Sequence, residues 1–239
     1  MHGSARRYSN EERRSTLSRS FDPINPDRGG VIALDLDELV SPAHTALVTV
    51  EVQEGVVGSA SVLPAIAEAA AAPKMIENIA RLARAARAAG IPVIHCTAES
   101  RPDGLGASKN ARLFGAAAKA RSRGYSSRAF EVHADVGAEP GDLVMSRLHG
   151  LSPMTGTSLD PVLRNLGVRT IVATGVSVNV ALLGLAFEGV NHGYQVVIPR
   201  DAVAGVDDAY VEAVFENTFA VIATATTSDA LIRRWQAIT

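Results

Sequence analysis

From residue 43 onward, short apolar runs too brief for a helix alternate with longer stretches of helical period, and this alternation restricts the fold more than any other feature of the chain. The first run, Ala43–Val52 (AHTALVTVEV), is apolar and β-branched, as in a strand buried on both faces. Further strands are expected at Pro92–Cys96, Asp142–Arg147, Thr170–Thr174, Gln195–Pro199 and Val221–Thr224. Helices are expected at Lys74–Ala89, Asp160–Leu166, Asn179–Asn191, Asp207–Asn217 and after Ser228. Strand and helix in alternation imply right-handed crossovers and a Rossmann-like, three-layer α/β/α fold around a central, mainly parallel six-stranded sheet.

The 239 residues, 47% of them apolar, suffice for one α/β domain with a full core, expected over residues 31–239. Residues 1–30 hold Arg6, Arg7, Arg13, Arg14, Arg19 and Arg28 beside four acids and no apolar stretch, and read as a flexible arm. No apolar run approaches the roughly 18 residues of a membrane span, and the net charge of −2 gives no reason to expect nucleic acid or an anionic membrane as a partner. A small-molecule ligand and self-association are the expected partners. The single cysteine, Cys96, excludes an internal disulfide framework and a cysteine cluster for zinc, which fits a reducing, cytoplasmic compartment.

In open parallel sheets the reactive crevice lies at the carboxyl ends of the strands. The residues ending these strands are therefore the first candidates: Glu51 with Gln53, His95 with Cys96, Arg147, Thr174 to Ser177, and Arg200 with Asp201. Glu51 and Arg147 each end an apolar strand, where a charge is costly unless paired or set in a polar crevice, so a structural ion pair and a functional role are both open.

Glu51-Val-Gln53 after a buried strand, Gly141-Asp142-x-Val144 before Arg147, and Ser152-x-x-x-Gly156-Thr157-x-Leu159-Asp160 resemble the isochorismatase-like hydrolases of the cysteine hydrolase superfamily. Thr174-Gly175-Val176 before an apolar helix, then Gly193-Tyr194-x-Val196 and Asp201-Ala202, continue the match in order, over about Thr45 to Ser228. The resemblance implies that family's α/β fold. It also implies departures at the positions of its amidohydrolase catalytic set: the aspartate base falls on Glu51, the lysine on Arg147, and the nucleophilic cysteine on Ala181. The loop from Arg147 to Ser152 is one residue longer than the family spacing, so His149 is a second candidate for the lysine's place.

A methyl group forms no acyl-enzyme, so Ala181 removes covalent catalysis from that position. Arg147 keeps the lysine's charge but holds its proton, which makes it an anion binder rather than an acid. Glu51 keeps a titratable group. The family includes a branch, isochorismatase itself, that works without the cysteine by protonating a vinyl ether; by resemblance Glu51 would act as general acid or base, with Arg147 and His149 holding carboxylates. Gln53 would complete the binding set. The backbone from Val176 to Asn179, which in the family carries a non-proline cis peptide, would offer N–H groups to an anion; N-capping is the simpler reading of Ser177 and Asn179.

Cys96 reads as a small buried apolar residue, with a relocated nucleophile as the alternative. No metal site and no cofactor are expected, since Thr97-Ala98-Glu99-Ser100-Arg101 lacks the aspartate and histidine cluster of nicotinamidases. The stretch between Thr97 and Arg128, with Arg101, Asn110, Arg112 and Phe114, reads as an insertion over the crevice or a subunit contact. Helix Asn179–Asn191, whose one charge is Glu188, is expected to be covered on nearly every side, by the core or by a second copy, and a dimer or tetramer follows as an expectation. Three readings stand: a cysteine-independent hydrolase, a ligand-binding pseudoenzyme, and a structural oligomer whose crevice is closed by a Glu51–Arg147 pair.

Overall fold

The structure, a computed structural model, describes residues 35–59, 61–71, 74–122, 124 and 126–237; the expected arm at 1–30 lies outside them. Seven strands form one sheet: β1 Thr45–Val50, β2 Val93–Ala98, β3 Leu143–Arg147, β4 Thr170–Val176, β5 Gln195–Pro199, β6 Val203–Ala204 and β7 Thr224–Thr226. Six follow the order β3-β2-β1-β4-β5-β7, and the two-residue β6 pairs with β4. Every pairing is parallel. Strand β6 extends β5's track: Pro199, which has no N–H to give, ends β5, a 3-10 turn Arg200–Ala202 intervenes, and the chain rejoins β4 at Val203 opposite Gly175.

The sheet separates two apolar layers. Strand β1 is buried along its whole length and alternates, with Leu47 in one layer and Ala46, Val48 and Val50 in the other. The Leu47 layer is closed by helix Met75–Ala88, whose buried Met75, Ile79, Leu82, Ala83 and Ala86 recur at helical spacing, and by helix Ser228–Gln236 through Trp235. Trp235 donates its indole N–H to the Val40 carbonyl at 3.0 Å. Helices Leu159–Asn165 and Leu183–Asn191 close the other face with Leu159, Leu163, Leu185 and Ala186.

One strand expectation is corrected. Val221 lies in the short helix Ala220–Ile222 and is exposed, and the last strand begins at Thr224. The β-branched run is overridden by Phe215 and Phe219, which pack edge to face at 5.1 Å and carry the preceding helix through a π turn. Helix Leu183–Asn191, which follows a π turn Val178–Leu182, is not covered all round within the chain, since Phe187 is 47% and Val190 41% exposed. No helix of the described residues is long and apolar enough to cross a membrane.

Candidate active site

At the carboxyl ends of β1, β2, β3 and β4 a cavity of about 630 Å³ opens, lined by Glu51, Gln53, Arg147, His149, Val176, Ser177, Asn179 and Ala181 among others. Thr174, His95, Cys96, Arg200 and Asp201, also put forward as strand-end candidates, do not line it. The convergence starts with a close approach: Gly175 sits at φ 103°, and a Cβ there would collide with the Val50 carbonyl oxygen. Glycine lets the ends of β1 and β4 meet, which puts Glu51 beside Val176 and Ser177. Glu51 itself holds φ 54°, a left-handed conformation that is strained for a side chain of this size.

Arg147, at the end of β3, is 4% exposed at its side chain and donates Nη2 to the Glu51 carboxylate and to the Leu151 carbonyl. Its Nε and Nη1 are buried and have no partner. Burial pushes the Glu51 carboxyl above the usual carboxylate range, and the Arg147 charge and hydrogen bond offset only part of that push. The cavity lining thus holds a carboxyl whose pKa is raised by burial beside a cation with unused donors.

The other expected residues divide. Gln53 lines the cavity, but both its amide N–H groups go to backbone, the Ala98 and Ala129 carbonyls at 3.0 and 2.9 Å, and its oxygen accepts the Ala98 N–H. It ties the ends of β1 and β2 to the turn Ser127–Phe130. His149 is exposed at the rim, its ring against Gly156, where a Cβ would lie 2.8 Å from Cε1. Ser177 makes no side-chain capping bond, contrary to the simpler expectation, and Asn179 Oδ1 is buried without a partner. The Val176–Ser177 peptide is cis.

Strand-end candidates outside the cavity have structural roles. Asp201 accepts from the Ser228 N–H at 2.8 Å and from its hydroxyl, and Arg200 pairs with Glu212 at 2.5 Å while lying over the Phe215 ring. Cys96 is packed among the apolar residues of one layer, and burial pushes its thiol up to about 12. His95 lies between Thr49 Oγ1 at 2.8 Å and Asp142 Oδ2 at 3.2 Å, and Asp142 is held in turn by Arg87 at 2.7 Å. Hydroxyl, imidazole and carboxylate have the composition of a nucleophilic triad, yet none lines the cavity and Thr49 and His95 are each 1% exposed. Burial lowers the His95 pKa, which keeps the ring neutral.

Sequence reasoning missed the rest of the wall. Val56, Val62, Leu63 and Ile66, from the segment after β1, line the cavity together with Leu113 and Phe114 of helix Arg112–Ser122. The signal available was the apolar face of Pro64–Ala71. The insertion does overhang the crevice, although its Arg101 pairs with Asp103 in solvent. Glu188, the one charge of its helix, anchors the turn after His149 by accepting from the Ser152 and Thr155 hydroxyls. Among the described residues no group of three His, Cys, Asp or Glu is placed to hold a metal ion.

Comparison with known proteins gives the family and the fold. Residues 45–230 match the Isochorismatase domain family. The ureidoacrylate amidohydrolase RutB of Pseudomonas savastanoi pv. phaseolicola is 29% identical over 191 residues, 74% of this chain and 78% of that protein. The RutB of Methylorubrum extorquens (strain DSM 6343 / CIP 106787 / DM4) is 31% identical over 190 residues, covering 74% of each. Among solved structures, a cysteine hydrolase from Pseudomonas syringae pv. phaseolicola superposes with a TM-score of 0.71 at 26% identity, over 84% of this chain and 96% of that one. An N-carbamoylsarcosine amidase from Thermoplasma acidophilum shares the fold at a TM-score of 0.59. By the family match over most of its length, the chain belongs to the isochorismatase family.

Proposed function

We propose that this chain is a hydrolase of small carboxylate-bearing or amide-like molecules that works without a cysteine nucleophile, with Glu51 as its general acid or base. The observation that carries the reading is the Glu51 carboxyl at the cavity end, held above its usual pKa by burial and steered by Arg147. In amide hydrolysis the Glu51 carboxylate takes a proton from the attacking water and returns it to the leaving nitrogen. In vinyl ether cleavage the protonated Glu51 protonates the vinylic carbon, water adds to the resulting cation, and the hemiketal collapses to a keto acid and an alcohol. Amide hydrolysis is favoured by the relatives, which are named as ureidoacrylate amidohydrolases.

Cysteine-independence is supported by Ala181 on the cavity wall and by Cys96, whose buried thiol is far too basic to furnish a thiolate near neutral pH. Arg147 would hold the substrate's anionic group with His149 at the rim, and Ser177 and Asn179 would orient it. A second reading, a pseudoenzyme that binds and does no chemistry, is favoured by the closed Glu51–Arg147 bridge. The cavity beside that bridge is nonetheless roomy enough for a ligand, which counts against a purely structural closure.

Ammonia release from a panel of small amides, and pyruvate release from isochorismate-like vinyl ethers, test the proposal with the native chain and Glu51→Gln. Turnover abolished by the substitution upholds it; no turnover by the native chain on any substrate moves the reading to the pseudoenzyme. We also propose a homo-oligomer, dimer or tetramer, on the exposed Phe187 and Val190, for which Phe187→Glu should lower the mass seen by light scattering.

A further inference from the structure

The cavity is not uniform. Its charged groups are Glu51, Arg147, Glu99 and Lys109, with His149 at the rim, whereas the wall built by Val56, Val62, Leu63, Ile66, Leu113 and Phe114 offers no polar side chain. At about 630 Å³ the space lies in the middle of the range that encloses drug-sized ligands, well beyond a small polar acid or amide. Two of the side chains on this wall, Val62 and Leu113, are 52% and 44% exposed, a large apolar exposure for an enclosure that binds only polar guests. The same cavity is lined by Arg147 and Asn179, whose Nε and Nη1, and Oδ1, are buried polar atoms without a partner, and such atoms ordinarily find partners.

We propose that the site takes an amphipathic substrate, with a carboxylate or amide head at Glu51, Arg147 and Asn179 and an apolar chain or ring along the wall of Val56, Leu63, Ile66, Leu113 and Phe114. This rests on the reading that the Glu51–Arg147 end holds the reacting group. The head supplies the partners that Arg147 and Asn179 lack. The tail removes apolar wall from water. Substrates of the class therefore differ in affinity through the tail and in orientation through the head.

The test is calorimetric binding to the full chain of straight-chain monocarboxylates from acetate to decanoate and of the matching primary amides, with n-alcohols of equal length as controls. Each methylene that reaches the wall should lower Kd about fourfold over several carbons, then the series should level off. Phe114→Asp and, because Phe114 is half-buried, the exposed Leu113→Asp should each flatten the series, weakening the long acids many-fold more than they weaken acetate, which has no tail. Arg147→Met should weaken the acids at every length more than the alcohols.

A native series flat in chain length overturns the proposal, since the wall is then covered by another segment or copy. So does a slope that neither aspartate variant changes, or alcohols that bind as tightly as acids. Turnover is followed in parallel, which separates the two readings. Length-dependent binding without turnover keeps this inference and removes the hydrolase; turnover of short amides with no gain from length does the reverse.

Discussion

Arg147→Met removes the cation facing Glu51, and the structure sets both the size and the pH dependence of the effect. The guanidinium is 4% exposed and its Nη2 holds the Glu51 carboxylate and the Leu151 carbonyl. Loss of a charged hydrogen bond to a carbonyl costs about 1.5–3 kcal/mol at any pH. The second part of the penalty belongs to Glu51. Removing one partner of a buried pair costs about 3–5 kcal/mol when the other must stay charged, and the 19% exposure of Glu51 beside an open cavity favours the lower end, about 3 kcal/mol.

A carboxyl escapes that second part by taking up a proton. Burial already holds the Glu51 pKa above 4.5, and without Arg147 only the raising influence remains. A raised carboxyl contributes stability that is fully present below its unfolded pKa and is lost as pH rises through its folded pKa. The penalty of Arg147→Met should accordingly be about 1.5–3 kcal/mol at pH 5, from the lost carbonyl bond alone, and larger by about 3 kcal/mol at pH 8, roughly a further 6–12 °C in Tm for a domain of this size. Scanning calorimetry of native and variant chains across that range measures it. Adding Glu51→Gln should restore most of the loss at pH 8, because a neutral amide needs no counter-charge. A penalty that is flat or shrinks between pH 5 and pH 8, or a double variant no more stable than Arg147→Met, would refute the reasoning.

The buried carboxylate of Asp142 gives the opposite sign. Burial alone would raise it, but Arg87, the Glu139 N–H and His95 together hold it below its ordinary value. Its contribution is present above the unfolded pKa of 3.8 and is lost as pH falls through the folded value, so the advantage of the native chain over Asp142→Asn in urea melts should vanish in acid. Gly175→Ala should cost about 2–4 kcal/mol in the same melts, because φ 103° excludes a side chain and the Cβ meets the Val50 carbonyl. Cys96 should resist a thiol reagent at pH 8 in the folded chain and react fully in denaturant; fast labelling of the native protein would contradict its burial and its pKa near 12.

Strand positions were legible because a buried parallel strand leaves an uninterrupted apolar run, and β1, β4 and β5 fall where such runs lie. The end of the β1 run located Glu51, since a charge closing an apolar strand is an anomaly visible in one dimension; Arg147 was found the same way at the end of β3, although that edge strand is largely exposed. The apolar wall was not legible. Helix Arg112–Ser122 and the segment from Val56 to Ile66 line the same cavity although they are far apart in sequence, and nothing local in either segment records the other. The last strand was misplaced for a related reason: the side chains that decide it, Phe215 and Phe219, act through packing.

The harder distinction lies between the two polar groups at this sheet. Thr49, His95 and Asp142 carry the residue types of a nucleophilic site, while Glu51, Arg147 and Ala181 look like its remnants. Strand parity decides between them. Thr49 and His95 stand in register on neighbouring strands, on the side of the sheet where Leu47 packs, and this aims them at the layer that helix Met75–Ala88 covers. Their side chains hydrogen-bond to one another, and none of the three lines the cavity. Glu51 has the same parity as Thr49 and would follow it into that layer if β1 simply continued. The left-handed turn at φ 54° ends the strand there, and the carboxyl enters the cavity instead. A backbone conformation that costs on the order of 1–3 kcal/mol is held at the one residue whose redirection supplies the cavity with a titratable group. Glu51→Gly should relieve that strain yet leave the buried Arg147 guanidinium without its counter-charge, a loss of about 3–5 kcal/mol that outweighs the gain, so the variant should be less stable than the native chain in urea melts and regain stability when Arg147→Met is added.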